Sequence, residues 1–163
     1  MYTNNFVEMK KFVTILLLVF SVSVFAQQKE PKWYTDVETA INISVKFEKP
    51  LFFFFTGSDW CGWCIRLQRE VFFTPEFKTW ANANVILVEL DFPRKKQLDP
   101  KTQQQNRKLG QIFGVRGYPT IWFVTPEIKD EKVNFNRLGS QGYVAGGPKA
   151  WLAGANRIIK PIK

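Results

Sequence analysis

The sequence predicts an α/β fold, an open sheet covered by helices on both faces. Residues 51–55 (LFFFF) and 85–91 (VILVELD) are largely apolar and do not alternate, as in strands buried on both sides. Segments with helical spacing and helix-start residues lie around them, and no internal repeat interrupts the order.

Each element follows from local chemistry. Thr35-Asp36-Val37-Glu38 has the form of a capping box with Thr35 as N-cap. Val37, Ile41 and Val45 then recur every fourth residue, which predicts a helix over 36–48. Pro50 separates it from the strand 51–55, and Gly57-Ser58 end that strand. A helix over 61–72 follows. Thr74-Pro75 opens a second short helix, with proline at a first position that needs no N–H. After the strand 85–91 comes a basic loop, 92–100, and then a polar stretch, 101–113, with a weak helical pattern. Strands are expected over 118–125 and 133–138. Gly147-Pro148 opens a last helix with Trp151, Ala155 and Ile158 on one face. Sixteen Phe and six Trp supply the large side chains that such a core needs.

Residues 1–26 read as an address. Lys10 and Lys11 precede the apolar run 12–24, and Val24-Phe25-Ala26 places small residues at −3 and −1 of a cleavage site. The run is shorter than the ~20 residues that span a bilayer. Residues 1–8 sit awkwardly before the basic pair, so Met9 is an alternative start, and an uncleaved anchor is the rival reading. Cleavage near Ala26 leaves 27–163 as a single domain in the periplasm or another exported compartment. Loss of Glu8, Lys10 and Lys11 lowers the formal charge from +9 to +8. The clusters Arg94-Lys95-Lys96 and Arg107-Lys108 suit acidic partners or an anionic surface, and nothing in the chain has the form of a nucleic-acid motif. The chain has no histidine, which excludes His acid–base catalysis and His-ligated metals.

The chemistry then falls to the cysteines, Cys61 and Cys64, both within TGSDWCGWC. As a staple, so short a loop stabilises by only about 2 kcal/mol on chain-entropy grounds. A zinc site takes four ligands, and only one pair is present. A redox dithiol explains the spacing better. At the start of a helix, Cys61 faces unpaired N–H groups and the positive end of the dipole, which favour the thiolate. Free cysteine titrates near ~8.5, and such sites bring it to between ~3.5 and ~7.5. Cys64 lies three residues on, on the same face, and is placed to close a disulfide.

With these residues on the page, the chain resembles the thioredoxin-like proteins of the exported bacterial type. "SDWCGWC" resembles their Trp-Cys-x-x-Cys active site, and "FGVRGYPT", residues 113–120, resembles the segment with the cis-proline opposite it. The likeness spans about residues 33–160. It implies a four- to five-stranded mixed sheet flanked by helices on both faces. It also implies a cis Tyr118–Pro119 bond, with Pro119 against the dithiol and Tyr118 in contact with substrate. Trp60 is expected to shield the site, while Trp63 stands where thioredoxins commonly have proline. In many relatives a buried acid on the strand before the motif moves the second cysteine's proton. Phe54 and Phe55 occupy the plausible positions here, and Gln68 stands where some exported relatives have a carboxylate. Asp59 and Glu89 are the nearest candidates for that proton transfer.

The sequence therefore predicts a monomeric thiol–disulfide oxidoreductase that needs no cofactor or metal. It would exchange Cys61–Cys64 with disulfide-containing or dithiol proteins, lean towards reduction or disulfide repair, and draw on a membrane electron donor. Two rivals stand beside it. One is a non-enzymatic, redox-responsive adaptor that grips partners through Trp60, Trp63 and Tyr118. The other is a dimer bridged by zinc or an iron–sulfur cluster.

Overall fold

The computed structural model describes residues 30–130 and 132–160. The expected leader, with Met9 and Ala26, lies outside the described residues. Among them, β1 (Trp33–Tyr34), β2 (Leu51–Thr56), β3 (Ile86–Asp91), β4 (Thr120–Lys129) and β5 (Lys132–Gln141) form one mixed sheet. Its order is β1-β3-β2-β4-β5. β1, β3 and β2 run parallel, and β4 and β5 are antiparallel. The helices are α1 (Val37–Phe47), α2 (Gly62–Leu67), α3 (Pro75–Asn84), α4 (Pro100–Ile112) and α5 (Gly147–Ile159).

The phenylalanine tract explains the two-sided burial. Successive strand side chains point to opposite faces. Phe52 and Phe54 join one core with Cys61 and Cys64 at the start of α2, Phe72 beyond its end, Phe77 from α3 and Trp151 from α5. Phe53 and Phe55 join the other, with Val37 and Ile41 from α1, Leu109 from α4 and Phe113 at the cap of α4. On the first side Phe52 meets Phe123 edge-on at 5.3 Å between centroids, and Phe72 stacks on Phe77 at 4.5 Å.

Several boundaries differ from the sequence expectation. The N-cap of α1 is Asp36, not Thr35: its Oδ1 accepts the Thr39 N–H at 2.7 Å, and aspartate is the stronger cap. Val45 is exposed, and the buried stripe of α1 runs Val37, Ala40, Ile41, Ser44. The Ser44 hydroxyl is satisfied by donating to the Lys49 carbonyl at 2.5 Å. The expected helix 61–72 divides into α2 and a π-helical turn, Gln68–Phe72, closed by the Phe73 N–H on the Gln68 carbonyl at 2.9 Å. The extra residue in that turn lets adjacent Val71 and Phe72 both enter the core. β4 starts after Pro119 and runs on through Pro126, where it has passed the end of β2 and pairs only with β5. A missing N–H on that open edge breaks no ladder bond.

Candidate active site

β2 delivers the chain to a tight turn at its C-terminal end. The Gly57 carbonyl accepts the Trp60 N–H at 3.2 Å and the Cys61 N–H at 2.8 Å. The turn requires glycine for steric reasons, since a Cβ at residue 57 would stand 2.4 Å from Trp60 Cε2. Cys61 is then the N-cap of α2, with extended backbone, and its Sγ accepts the Cys64 N–H at 3.2 Å. Cys61 and Cys64 are disulfide-bonded with Cα atoms 5.3 Å apart. Cys61 is 6% exposed and Cys64 is fully buried, so the first sulfur is the one nearer solvent.

Aromatic side chains frame the pair. Trp60 donates its indole N–H to the Phe92 carbonyl at 2.8 Å and stands perpendicular to the Tyr118 ring, 5.7 Å between centroids. The Tyr118–Pro119 bond is cis, and Tyr118 also packs on Phe92 at 5.3 Å. Burial raises the Tyr118 phenol above its ordinary range. Trp63 is 54% exposed on the opposite flank, with its ring 5.1 Å from that of Tyr143. Arg66 lies over both rings and pairs with Glu70 at 2.7 Å, and the Tyr143 hydroxyl donates to Glu70 at 2.6 Å.

The two acids singled out in the sequence occupy different settings. Asp59 accepts backbone N–H groups from Arg94, Lys95 and Lys96, the shortest at 2.7 Å, and these bonds, led by that of Arg94, lower its carboxyl below the usual range. It anchors the loop after β3. Glu89 sits on β3 in register with Phe54, on the cysteine side of the sheet. Burial raises its carboxyl above the ordinary range, and the Asp91 charge adds to this.

One buried acid was not anticipated. Asp91, at the end of β3, accepts the Ser58 N–H at 2.8 Å and the Ser58 hydroxyl at 2.6 Å, and pairs with Lys96 at 2.8 Å. It ties the turn before Trp60 to the basic loop. Only its place at the end of an apolar strand marked it in the sequence. Of the Arg66–Glu70–Tyr143 group only the four-residue spacing of Arg66 and Glu70 was visible in the sequence, because Tyr143 is 73 residues from Glu70. Among the described residues no group of three or more His, Cys, Asp or Glu is gathered to hold a metal ion.

A mixed sheet, a disulfide capping a helix and a cis-proline segment define a thioredoxin-type redox site. The family described as "Thioredoxin-like domain" matches residues 37–130, and the chain belongs to it. The disulfide bond reductase DsbH of Chlamydia pneumoniae is 33% identical over 129 residues, covering 79% of this chain and 73% of that protein. The thioredoxin-related protein DsbJ of Chlamydia pneumoniae is 27% identical over 143 residues, 85% of this chain but 40% of its own length. Among solved structures, a "DsbH Oxidoreductase" superimposes with a TM-score of 0.72 at 30% identity, covering 82% of this chain and 87% of that one. A thioredoxin from Thermus thermophilus, at TM-score 0.59 and 15% identity over 80% of this chain and 88% of its own, shares the fold. The chain is a thiol–disulfide oxidoreductase, and its reactants are disulfides and dithiols.

Proposed function

We propose that this protein works as a monomeric reductase of disulfides in exported proteins of the cell envelope, re-reduced by a membrane-bound dithiol donor. In the reduced form, the Cys61 thiolate attacks one sulfur of a substrate disulfide. A mixed disulfide forms and one substrate thiolate leaves. Cys64 gives up its proton and attacks Cys61 Sγ, which releases the second substrate thiolate and closes Cys61–Cys64. Two electrons pass to the substrate, whose thiolates take up two protons, and the donor dithiol later returns both electrons. The carrying observation is the Cys64 N–H aimed at Cys61 Sγ at the helix cap, a donor that favours an anion at that sulfur.

Trp60 and Trp63 provide apolar surface on either flank of the pair, and Tyr118 and Pro119 receive an extended substrate segment. We assign the Cys64 proton to Glu89 rather than Asp59, whose oxygens already hold three backbone amides. Reduction as the direction is supported by similarity to a relative named as a disulfide bond reductase. The envelope is supported by the leader-like residues 1–26, and no helix among the described residues is long and apolar enough to cross a membrane.

Equilibration with glutathione tests the direction. A potential near about −270 mV is expected, and one near about −120 mV would make the protein an oxidant. A Cys64→Ser variant should trap substrates as mixed disulfides through Cys61. Recovery of no such adduct from oxidised envelope extract would overturn the mechanism.

A further inference from the structure

The basic loop after β3 is part of the redox site rather than a solvated tail. Three of its backbone N–H groups bind Asp59, and its Lys96 binds buried Asp91. Arg94 places its guanidinium 3.8 Å from the centroid of the Trp60 ring, immediately before Cys61 in the chain. Asp59 is engaged by backbone amides of the loop, Asp91 by Ser58 and Lys96, and Asp99 caps the following helix, so each carboxylate near the loop already has a partner within the chain. Among the described residues no carboxylate pairs with the side chains of Arg94, Lys95 or Arg116, and all three are exposed. Arg116 precedes Tyr118 by two residues, and the Tyr118 ring touches both Trp60 and Phe92.

Resting on the reductase reading above, we infer that Arg94 and Lys95, with Arg116 beside Tyr118, form a cationic rim that selects disulfides carried in acidic polypeptide segments. An extended segment at Tyr118–Pro119 would bring residues flanking its cystine against Trp60 and the loop. A carboxylate there meets a guanidinium already held over an indole, and a planar fork held in place binds carboxylate with less ordering. A protein segment fits better than a lipid surface, because the exposed loop residues 94–97 are Arg, Lys, Lys and Gln, with no large apolar side chain to enter a bilayer.

The test is single-turnover reduction by the chemically reduced protein of two disulfide-linked peptides. One carries Asp and Glu around the cysteines, and its twin carries Asn and Gln. Released thiol is the readout, and the acidic-to-neutral ratio of second-order rates is the quantity of interest. The expected ratio is about five to ten at about 20 mM salt, falling towards about one at about 500 mM, because exposed charges are screened. Arg94→Gln/Lys95→Gln should bring the low-salt ratio to less than about three. Both peptides reduced at equal rates by the unaltered protein at low salt would overturn the rim and leave the reductase reading standing. Neither peptide reduced would overturn that reading, and the rim with it. Loop-dependent binding to vesicles of phosphatidylglycerol, with no discrimination between the peptides, would assign the rim to a membrane surface and refute the proposal.

Discussion

Gly57→Ala tests whether the turn and the indole were shaped together. The added Cβ would lie 2.4 Å from Trp60 Cε2, and ordinary contact begins near 3.4 Å, so the indole must retreat by roughly 1 Å. The Trp60 N–H bond to the Phe92 carbonyl is 2.8 Å long, and such a shift carries it out of bonding range. Crowding of this kind costs about 1–3 kcal/mol, and a lost hydrogen bond a further ~1. The sum, about 2–4 kcal/mol, is a large share of the ~5–15 that holds a domain together. In urea unfolding the midpoint should fall by about 1–2 M. The cost has a specific origin, so it should largely vanish in a Trp60→Ala background, where nothing meets the new methyl group. A double-mutant cycle isolates that coupling. If Gly57→Ala destabilises equally with and without the indole, the steric account of the turn is wrong.

Two further predictions follow from the same architecture. Phe52→Ala and Phe53→Ala should each cost about 3–5 kcal/mol in urea unfolding. Only Phe52 shares a core with Cys61 and Cys64, so only its loss should shift the glutathione equilibrium of the pair. Equal shifts from both would show that the sheet does not insulate the dithiol. For Glu89 the folded state holds the carboxyl proton more tightly than the unfolded chain does. Ionisation therefore opposes folding, and stability contributed by this group is present at low pH and lost as pH rises through the raised folded value. Glu89→Gln should be more stable than the parent at pH 7, and the difference should close below about pH 4. A difference that does not vary with pH would remove the buried-carboxylate reading.

Much of the site was legible because its chemistry is local. The cysteine spacing, the glycine-serine break before it and the proline at the start of α3 each act within a few residues, and each lies where sequence reasoning placed it. Where two capping residues stood side by side, the capping-box pattern pointed to Thr35, and the folded chain uses Asp36 instead. The choice follows the better acceptor. β1 is two residues long, too short to show a period, and exists because Trp33 and Tyr34 find Leu87 and Val88 across the sheet. Ser58 with Asp91, and Glu70 with Tyr143, are 33 and 73 residues apart, so only the folded chain brings them together. The split of four identical residues between two cores follows from strand geometry once the strand is recognised.

A tract of four identical rings carries no phase of its own. Sliding β2 by one residue would still offer a phenylalanine to either side, so apolar patterning cannot select its alignment. The selection falls to the two ends. At one, the Ile86 N–H binds the Pro50 carbonyl at 2.9 Å, and at the other the Phe92 N–H binds the Thr56 carbonyl at 2.8 Å. These terminal clasps determine how far along the neighbouring strand the first sulfur emerges. Both clasps are main-chain bonds that any residue at 50 or 56 can make, so the place where the redox sulfur emerges is held by backbone alignment at the strand ends rather than by the rings between them.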